Sequence, residues 1–373
     1  MSSKHRHYSP QYRKKLIRRR ATIIASAVCI VAAIVFTIVL LTGNQAVPTS
    51  GPVQSGPSAS EPSASEDKES SSSDASESQE ESSESSAPES SGNESVSSET
   101  EISIPEDAPA YQKKYPDLYV KDRPKLEVLD DSEKVVYLTF DDGPSDLTEP
   151  LLDVLKEHNA KATFFNCHQS DYQAKYSYLM KRCVDEGHTV AVHTYSHVMN
   201  EVYSSVDAFL DDFYKMYKDI EKVTGKEPAN FFRFPGGSKN GYNQKVYQDI
   251  IKEMTRRGFI YYDWDGDSGD ASGGNVSGET IYQNSMDAIR KGCNIILMHN
   301  IFGKKSTLDQ VGRIIETAQK EGYEFRALDG TLDPSHWYLM TTDEFVDAAI
   351  ESPLIQLSDW RMELEAKKKT SGQ

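Results

Sequence analysis

The feature that most limits how this chain can fold is a long uncharged segment near its start. Residues 21–43 are 23 consecutive residues without a charge, and 18 of them are apolar. As a helix rising about 1.5 Å per residue, the segment would be about 34 Å long, enough to cross a hydrocarbon layer of about 30 Å. A cleaved signal peptide is the main alternative, but its apolar region is usually only about 7–15 residues long. The segment therefore predicts a transmembrane helix.

The charges beside this helix predict its orientation. Residues 1–20 carry eight Lys or Arg and no acidic residue, and Arg18, Arg19 and Arg20 directly precede the apolar segment. Basic flanks tend to stay in the cytoplasm. We therefore expect residues 1–20 to be a cytoplasmic tail, and the chain to be a single-pass membrane protein whose remaining part lies outside the cell membrane.

The segment that follows, residues 44–104, is predicted to be a disordered linker. Between residues 61 and 100, 17 of 40 residues are Ser, twelve are acidic, and Val96 is the only large aliphatic residue. Such a composition cannot bury enough apolar surface to offset the entropy lost on ordering. The whole chain has a net charge of −17, which argues against nucleic acid as a partner. The four cysteines have no CxxC spacing, and Cys167 and Cys183 are not expected to pair.

The rest of the chain alternates short apolar runs with helical patterns. Between the third and fourth runs, apolar residues recur at three- and four-residue steps from Val206 to Val223 and stop at Gly225. The runs are continuously apolar, which is typical of strands buried on both faces. They predict an α/β fold with a parallel sheet or a barrel. The predicted strands are residues 135–140, 162–166, 189–193, 230–234, 258–264, 294–299 and 323–327.

We expect this part of the chain to have three regions. Residues 105–133, rich in Pro, Tyr and Lys, would form a stem against the main domain, residues 134–330. Residues 331–373 would be a C-terminal extension, in which residues 342–350 predict one further helix.

Polar side chains follow five of the seven predicted strands. In parallel α/β folds the carboxyl ends of the strands carry the chemistry. Taken singly, each group has an ordinary explanation, since Asp-Gly marks turns and surface histidines are common. Together they predict a site, because two histidines four residues apart can bind one metal ion. The groups are Asp141 and Asp142, then His193 and His197, then Arg233 to Gly237, then Trp264 with Asp267 and Asp270, and finally His299.

These residues resemble the motifs of the NodB-homology polysaccharide deacetylases, carbohydrate esterase family 4. The resemblance covers residues 134–328, and all five motifs occur in order. The family fold is a distorted (β/α) barrel, which we therefore expect here. The motifs are TFDDG at 139–143, HTYSH at 193–197, RFPGG at 233–237, WDGDSGD at 264–270 and LMH at 297–299.

The resemblance implies a metal-dependent hydrolase. Asp142, His193 and His197 would bind a divalent cation, zinc before cobalt, manganese or nickel, and leave positions open for water and a substrate carbonyl. Asp141 would be the general base. His299, on the opposite rim, would be the general acid that protonates the leaving amine.

The resemblance also implies supporting residues. Arg233 would orient the base, and Asp267 would keep His299 protonated. Trp264 and Leu297 would line the pocket for the acetyl methyl group, and a backbone N–H at about Gly236 would help to stabilise the oxyanion. Two positions depart from the family pattern, since Gly236 stands where Tyr is frequent and Ala271 where Trp is frequent.

The expected reaction is removal of N-acetyl groups from N-acetylglucosamine in peptidoglycan or a similar cell-surface glycan. One alternative is an O-deacetylase of an acetylated polysaccharide such as xylan. Another is a non-catalytic, membrane-tethered wall-binding protein, which the presence of Asp141 and His299 disfavours. Non-haem iron oxygenases also use two histidines and a carboxylate, but here the carboxylate precedes both histidines on a separate strand.

Overall fold

A computed structural model describes residues 104–130, 132–334, 343–359 and 366 of the chain. The predicted cytoplasmic tail, the predicted transmembrane helix and all but the last residue of the predicted linker lie outside these ranges. Within the described part, none of the helices combines the length and the apolar character needed to cross a bilayer. The membrane anchor at residues 21–43 therefore stays a prediction.

Eight parallel strands form one curled sheet, an open half-barrel, in the order β5-β4-β3-β2-β1-β7-β6. The eighth strand pairs with the start of β1. Strand β1 is central, because it pairs with β2 on one side and with β7 on the other. The strands are β1 (Val135–Gly143), β2 (Ala162–Asn166), β3 (Thr189–Val192), β4 (Phe231–Phe232), β5 (Ile260–Tyr261), β6 (Gly266–Asp267), β7 (Ile295–His299) and β8 (Glu324–Phe325).

Helices connect the strands. Most of them follow a strand and return the chain to the start of the next parallel strand, as crossover connections require. A short 3-10 helix, Ala110–Lys113, precedes the sheet. The α-helices are α1 (Thr148–Glu157), α2 (Asp171–Ala174), α3 (Leu179–Asp185), α4 (Met199–Val202), α5 (Val206–Thr224), α6 (Tyr247–Arg256), α7 (Gly278–Arg290), α8 (Lys305–Lys320) and α9 (Asp343–Glu351).

The predicted parallel α/β arrangement is confirmed, and each predicted strand overlaps an observed one. Strands β4, β5 and β8 are two residues long, shorter than the apolar runs that predicted them. Strand β6 was not predicted, because its two residues contain no apolar run. Little room is left for a side chain at Gly266 in β6, since a Cβ atom there would lie 2.5 Å from Ile296 Cδ1 and 3.0 Å from Ala288 Cβ.

Helix α5 shows how the sequence defines one element that supports the site. The side chain of Ser205 accepts a hydrogen bond from Ala208 N–H at 3.0 Å and caps the start of the helix. Gly225, with φ of 72°, ends the helix in the left-handed conformation. The predicted apolar face is buried except for Val223, which is half-buried, and this burial fixes the rotation of the helix about its axis. Its buried residues are Val206, Phe209, Leu210, Phe213, Met216, Tyr217, Ile220 and Thr224.

The segment before β1 lies against the domain through a buried arginine. Arg257, just after α6, is fully buried and forms an ion pair with Glu253 at 2.6 Å. Its guanidinium also donates to the main-chain carbonyls of Lys114 at 2.9 Å and Tyr115 at 3.0 Å. Buried guanidinium groups need such acceptors, so these bonds hold the predicted stem in place.

Candidate active site

Strand β1 presents two adjacent carboxylates to the same side. Consecutive residues of a regular strand point to opposite faces. Nevertheless, His193 Nε2 lies 3.6 Å from Asp141 Oδ2 and 3.7 Å from Asp142 Oδ1. The register between β1 and β2 shifts between Asp141 and Gly143, and Asp142 has a φ of 65°. This local irregularity turns Asp142 back to the side of Asp141.

Asp142, His193 and His197 form a group that can hold a metal ion. One ligand atom from each lies within 4.8 Å of the others. His197 Nε2 is 3.4 Å from Asp142 Oδ1. Two ligands bound to one zinc-sized cation lie about 3.4 Å apart at a tetrahedral angle. The three side chains therefore fit one cation.

The hydrogen bond of His193 selects the tautomer that a metal ligand needs. His193 is buried, and its Nδ1 lies 2.9 Å from the carbonyl oxygen of Arg233. Because a carbonyl only accepts, Nδ1 carries the proton and Nε2 keeps its lone pair. Burial lowers the pKa of His193 to about 3, although the charge of Asp142 opposes this. The imidazole is therefore neutral, which is the form that binds metals.

An aspartate on helix α5 holds the loop that carries His197. Asp212 Oδ1 accepts hydrogen bonds from the N–H groups of Tyr195 at 2.6 Å and Ser196 at 3.0 Å. On either side of these residues, Thr194 has a φ of 74° and His197 a φ of 55°. Such values are unfavourable for residues other than glycine and persist only where the surroundings enforce them. The hydrogen bonds to Asp212 help to hold Thr194 and His197 in these conformations.

Asp141 is buried against a fully buried arginine. Nη1 of Arg233 donates to Asp141 Oδ1 and to Thr139 Oγ1, both at 2.8 Å. The other N–H groups of Arg233 donate to the carbonyls of Tyr262 and Asp263. Burial raises the pKa of Asp141 above its ordinary value, and the charge of Arg233 only partly opposes this. The result is a fixed carboxylate that is more basic than a solvated one.

His299, at the end of β7, forms an ion pair with Asp270. Its Nδ1 lies 2.7 Å from Asp270 Oδ1, and its backbone N–H donates to Oδ2 at 2.9 Å. Thr307 Oγ1 donates to the same Oδ2 at 2.9 Å. Burial lowers the pKa of His299, but the hydrogen bond to Asp270 and the charges of Asp270, Asp141 and Asp142 outweigh it and raise the pKa to about 9.

Two predictions about His299 were wrong. The first placed it on the opposite rim from Asp141, whereas the two residues are register partners on neighbouring strands. The second assigned Asp267 as its partner. Asp267 is exposed, and its Oδ1 accepts from Gly269 N–H at 2.7 Å. The chain turns after β6 and brings Asp270, not Asp267, back to His299.

The remaining predicted residues lie around this cluster. The Trp264 ring centroid is 5.6 Å from the guanidinium carbon of Arg233. Leu297 is two residues before His299 on β7, so its side chain leaves the strand on the same face. Gly236 is exposed with a φ of 71°, and a Cβ atom there would lie 2.8 Å from Met199 Cε. The structure thus brings the ten predicted site residues to the carboxyl ends of the strands, but it pairs His299 with Asp270 instead of Asp267.

Three supporting residues were not identified as such from the sequence. Asp212 lies on a helix where acidic residues usually face solvent, so no pattern singled it out. Gln173 is buried and donates to the carbonyl oxygen of Asp142 at 2.6 Å, but it lies in the short helix α2, whose sequence contains no motif. Only Asp270 had a signal, since it lies in the same motif as Asp267.

Comparison with known proteins identifies the family. The family described as polysaccharide deacetylase matches residues 129–258. YheN of Bacillus subtilis is 31% identical over 225 residues, which cover 59% of this chain and 76% of that protein. A peptidoglycan-N-acetylglucosamine deacetylase of Bacillus cereus is 33% identical over 198 residues, 52% of this chain and 69% of that protein. The chain therefore belongs to the polysaccharide deacetylase family, the NodB-type hydrolases of carbohydrate esterase family 4.

A solved structure supports the same assignment. The catalytic domain of peptidoglycan N-acetylglucosamine deacetylase from Eubacterium rectale has a TM-score of 0.54 and 34% sequence identity to this chain. The match covers 58% of this chain and 97% of that domain. The similar part is thus about the length of one catalytic domain.

Proposed function

We propose that this enzyme removes N-acetyl groups from N-acetylglucosamine units of peptidoglycan or a similar cell-surface glycan. The observation that carries the proposal is the joint placement of three components at the end of β1. These are a possible metal-binding trio, a buried carboxylate fixed by Arg233, and a histidine paired with Asp270. Amide hydrolysis needs such a combination, because water must be activated and a poor amine leaving group must be protonated.

In this proposal Asp142, His193 and His197 hold a divalent cation. When bound, the cation would polarise the acetyl carbonyl and increase the acidity of a water molecule. Asp141 accepts the proton of the attacking water at Oδ2, since Oδ1 is already hydrogen-bonded to Arg233. Its raised pKa favours this acceptance.

His299 would act on the other side of the reaction. With a pKa of about 9, it is protonated at neutral pH. Asp270 accepts from Nδ1–H, so Nε2–H remains available to protonate the leaving nitrogen. Trp264 and Leu297 would enclose the acetyl methyl group, and the backbone N–H at Gly236 would donate to the developing oxyanion.

The substrate class rests on two arguments. The Bacillus cereus and Eubacterium rectale relatives are named for peptidoglycan N-acetylglucosamine deacetylation. The proposed anchor at residues 21–43 and the proposed disordered linker at residues 44–104, with a root-mean-square reach of roughly 40–50 Å, would also keep the domain close to the membrane. A glycan assembled at the membrane would be met there far more often than a distant polymer.

Acetate release from defined polymers tests the proposal. The purified enzyme is stripped of metal with a chelator, and divalent cations are then added back one at a time. We expect acetate from N-acetylglucosamine oligomers or peptidoglycan, only after metal is restored. Release from acetylated xylan but not from the N-acetylated substrates would overturn the proposal in favour of O-deacetylation.

Asp270→Asn tests the assignment of the acid pair. A general acid is lost as the pH rises through its pKa, so activity should fall on the alkaline side near the raised pKa of His299. Without the charge of Asp270 that pKa drops, so the alkaline limb should move to lower pH, by about one unit or more. The pH dependence of kcat/KM measures the shift.

The exposed neighbour provides a matched control for that experiment. Asp267→Asn removes the same charge from the same motif, but Asp267 makes no hydrogen bond to His299. Its alkaline limb should therefore coincide with that of the wild type. A shift in Asp267→Asn but not in Asp270→Asn would reverse the assignment.

A further inference from the structure

A buried aspartate that takes no part in the proposed proton transfers binds the loop after β4. Asp263 is buried, and both oxygens of its side chain contact one residue of that loop. Oδ1 accepts from the N–H of Ser238 at 2.9 Å, and Oδ2 accepts from Ser238 Oγ at 2.5 Å. Because both partners donate, neither oxygen needs a proton. A buried carboxylate is costly unless it is hydrogen-bonded, and Ser238 supplies both bonds.

The loop begins with a tight turn that presents the N–H of Gly236. The N–H of Gly237 donates to the carbonyl of Phe234 at 2.9 Å, and Gly236 has a φ of 71°. Proline in the second position, and glycine with a positive φ in the third, are typical of a type II β-turn. The hydrogen bond across such a turn uses the N–H of its fourth residue, here Gly237. The turn therefore leaves the N–H of Gly236 free to serve as an oxyanion donor.

Two consecutive glycines give this turn little rigidity of its own. The second glycine also has a positive φ, of 85°, and glycine loses more conformational freedom on ordering than any other residue. Side chains from outside the turn hold it instead. The Tyr203 hydroxyl donates to the carbonyl of Pro235 at 2.8 Å, and Asn243 Nδ2 donates to that of Ser238 at 3.1 Å. Asp263 contributes the charged member of this group, and charge-assisted hydrogen bonds are roughly twice as strong as neutral ones.

The main chain of the same aspartate contacts the arginine that orients the proposed base. Arg233 Nη2 donates to the carbonyl of Asp263 at 2.9 Å, and Arg233 Nη1 donates to Asp141. Removal of the Asp263 side chain would leave that carbonyl in place. Loss of the carboxylate would therefore release the turn while the base stays fixed.

We propose that Asp263 is a positioning residue whose carboxylate, through Ser238, keeps the N–H of Gly236 directed at the developing oxyanion. This inference rests on the proposed function. An oxyanion donor is effective when it is already in place as charge develops, because no reorganisation is then needed. Such a contact strengthens in the transition state, so it acts on kcat more than on KM.

The first experiment compares Asp263→Ala with Asp263→Asn in the metal-loaded enzyme. In Asp263→Ala, kcat for N-acetylglucosamine oligomers should fall about 10²-fold, since a misplacement of about 1 Å can cost that much. KM and metal affinity should stay within about two-fold of the wild type. Asp263→Asn should keep most of kcat, because its amide oxygen can accept from the N–H of Ser238 and its amide nitrogen can donate to Ser238 Oγ.

A smaller change at the other partner tests the same contact. Ser238→Ala removes only the bond from Oγ, so kcat should fall about three- to ten-fold. Ser285→Ala is the matched control, because Ser285 is equally buried and its hydroxyl donates to a carbonyl inside helix α7. Its kcat should equal that of the wild type. Hydrogen exchange of residues 234–238 gives a readout independent of turnover, and it should be faster in Asp263→Ala and Ser238→Ala but not in Ser285→Ala.

Several results would contradict this role of Asp263. They are a wild-type kcat in Asp263→Ala, a rise in KM in place of the fall in kcat, an equal loss in Asp263→Asn and Asp263→Ala, and unchanged exchange of residues 234–238. If Asp263→Ala does not fold, a wild-type kcat in Ser238→Ala is decisive against it. Failure of the proposed function looks different, because the wild type would then release no acetate from N-acetylglucosamine oligomers.

Discussion

Loss of bound metal together with loss of turnover is the expected result for His193→Ala, His197→Ala and Asp142→Asn. Each change removes one of only three side-chain ligands. Even residues that only orient metal ligands cost about 10- to 100-fold in affinity when mutated, so a lost ligand should cost at least about 100-fold. Isothermal titration of the metal-free protein with zinc, cobalt, manganese or nickel measures the affinity, and acetate release measures turnover.

Matched controls separate ligand loss from general damage. His158→Ala removes a histidine that is not part of the trio, and Asp267→Asn removes an exposed aspartate from the same end of the sheet. Both should keep metal and turnover. If all three variants still bind metal with wild-type affinity, then Asp142, His193 and His197 are not the metal ligands, whatever the activity of the variants.

The order of strands and helices could be predicted because a short, continuous apolar run is typical of a strand buried on both faces. The continuous runs of β1, β2 and β7 gave strands at nearly their observed bounds, and helix α5 has both its periodic face and its two terminal residues in the sequence. The two-residue strand β6 could not be found in this way. Its pairing with β7 depends on a glycine that allows close approach to Ile296.

Most residues of the candidate site could be predicted from the sequence, but several of the contacts between them could not. Strand-end positions and motif order identified the trio, Asp141, Arg233 and His299. The partner of His299 depended on the path of the chain through and after β6, where three aspartates, at 265, 267 and 270, lie close in sequence and no periodicity decides between them. The conformation of Asp142 and the loop bonds to Asp212 are tertiary effects that spacing does not report.

Asp141→Asn should retain metal and lose most activity. Asn has nearly the same shape and can still accept from Arg233, but it cannot take a proton from water. Loss of a general base costs about 10²–10⁴-fold in rate. The adjacent Asp142→Asn is the matched control, because the same chemical change one residue away should instead weaken metal binding. Paired measurements of zinc affinity and acetate release distinguish the two.

The pH dependence of activity distinguishes loss of the general base from misfolding, because misfolding lowers activity without removing one limb of the profile. A base works only when deprotonated, so wild-type activity should rise as the pH passes upward through the pKa of Asp141, which burial raises above its ordinary value. In Asp141→Asn that acidic limb should disappear from the residual activity, while the alkaline limb due to His299 remains. The melting temperature of Asp141→Asn should stay close to that of the wild type, because Arg233 keeps its hydrogen bonds to Thr139, Tyr262 and Asp263. This measurement checks that the variant is folded. If Asp141→Asn lost metal as Asp142→Asn does, or kept an unchanged acidic limb, then Asp141 would not be the general base.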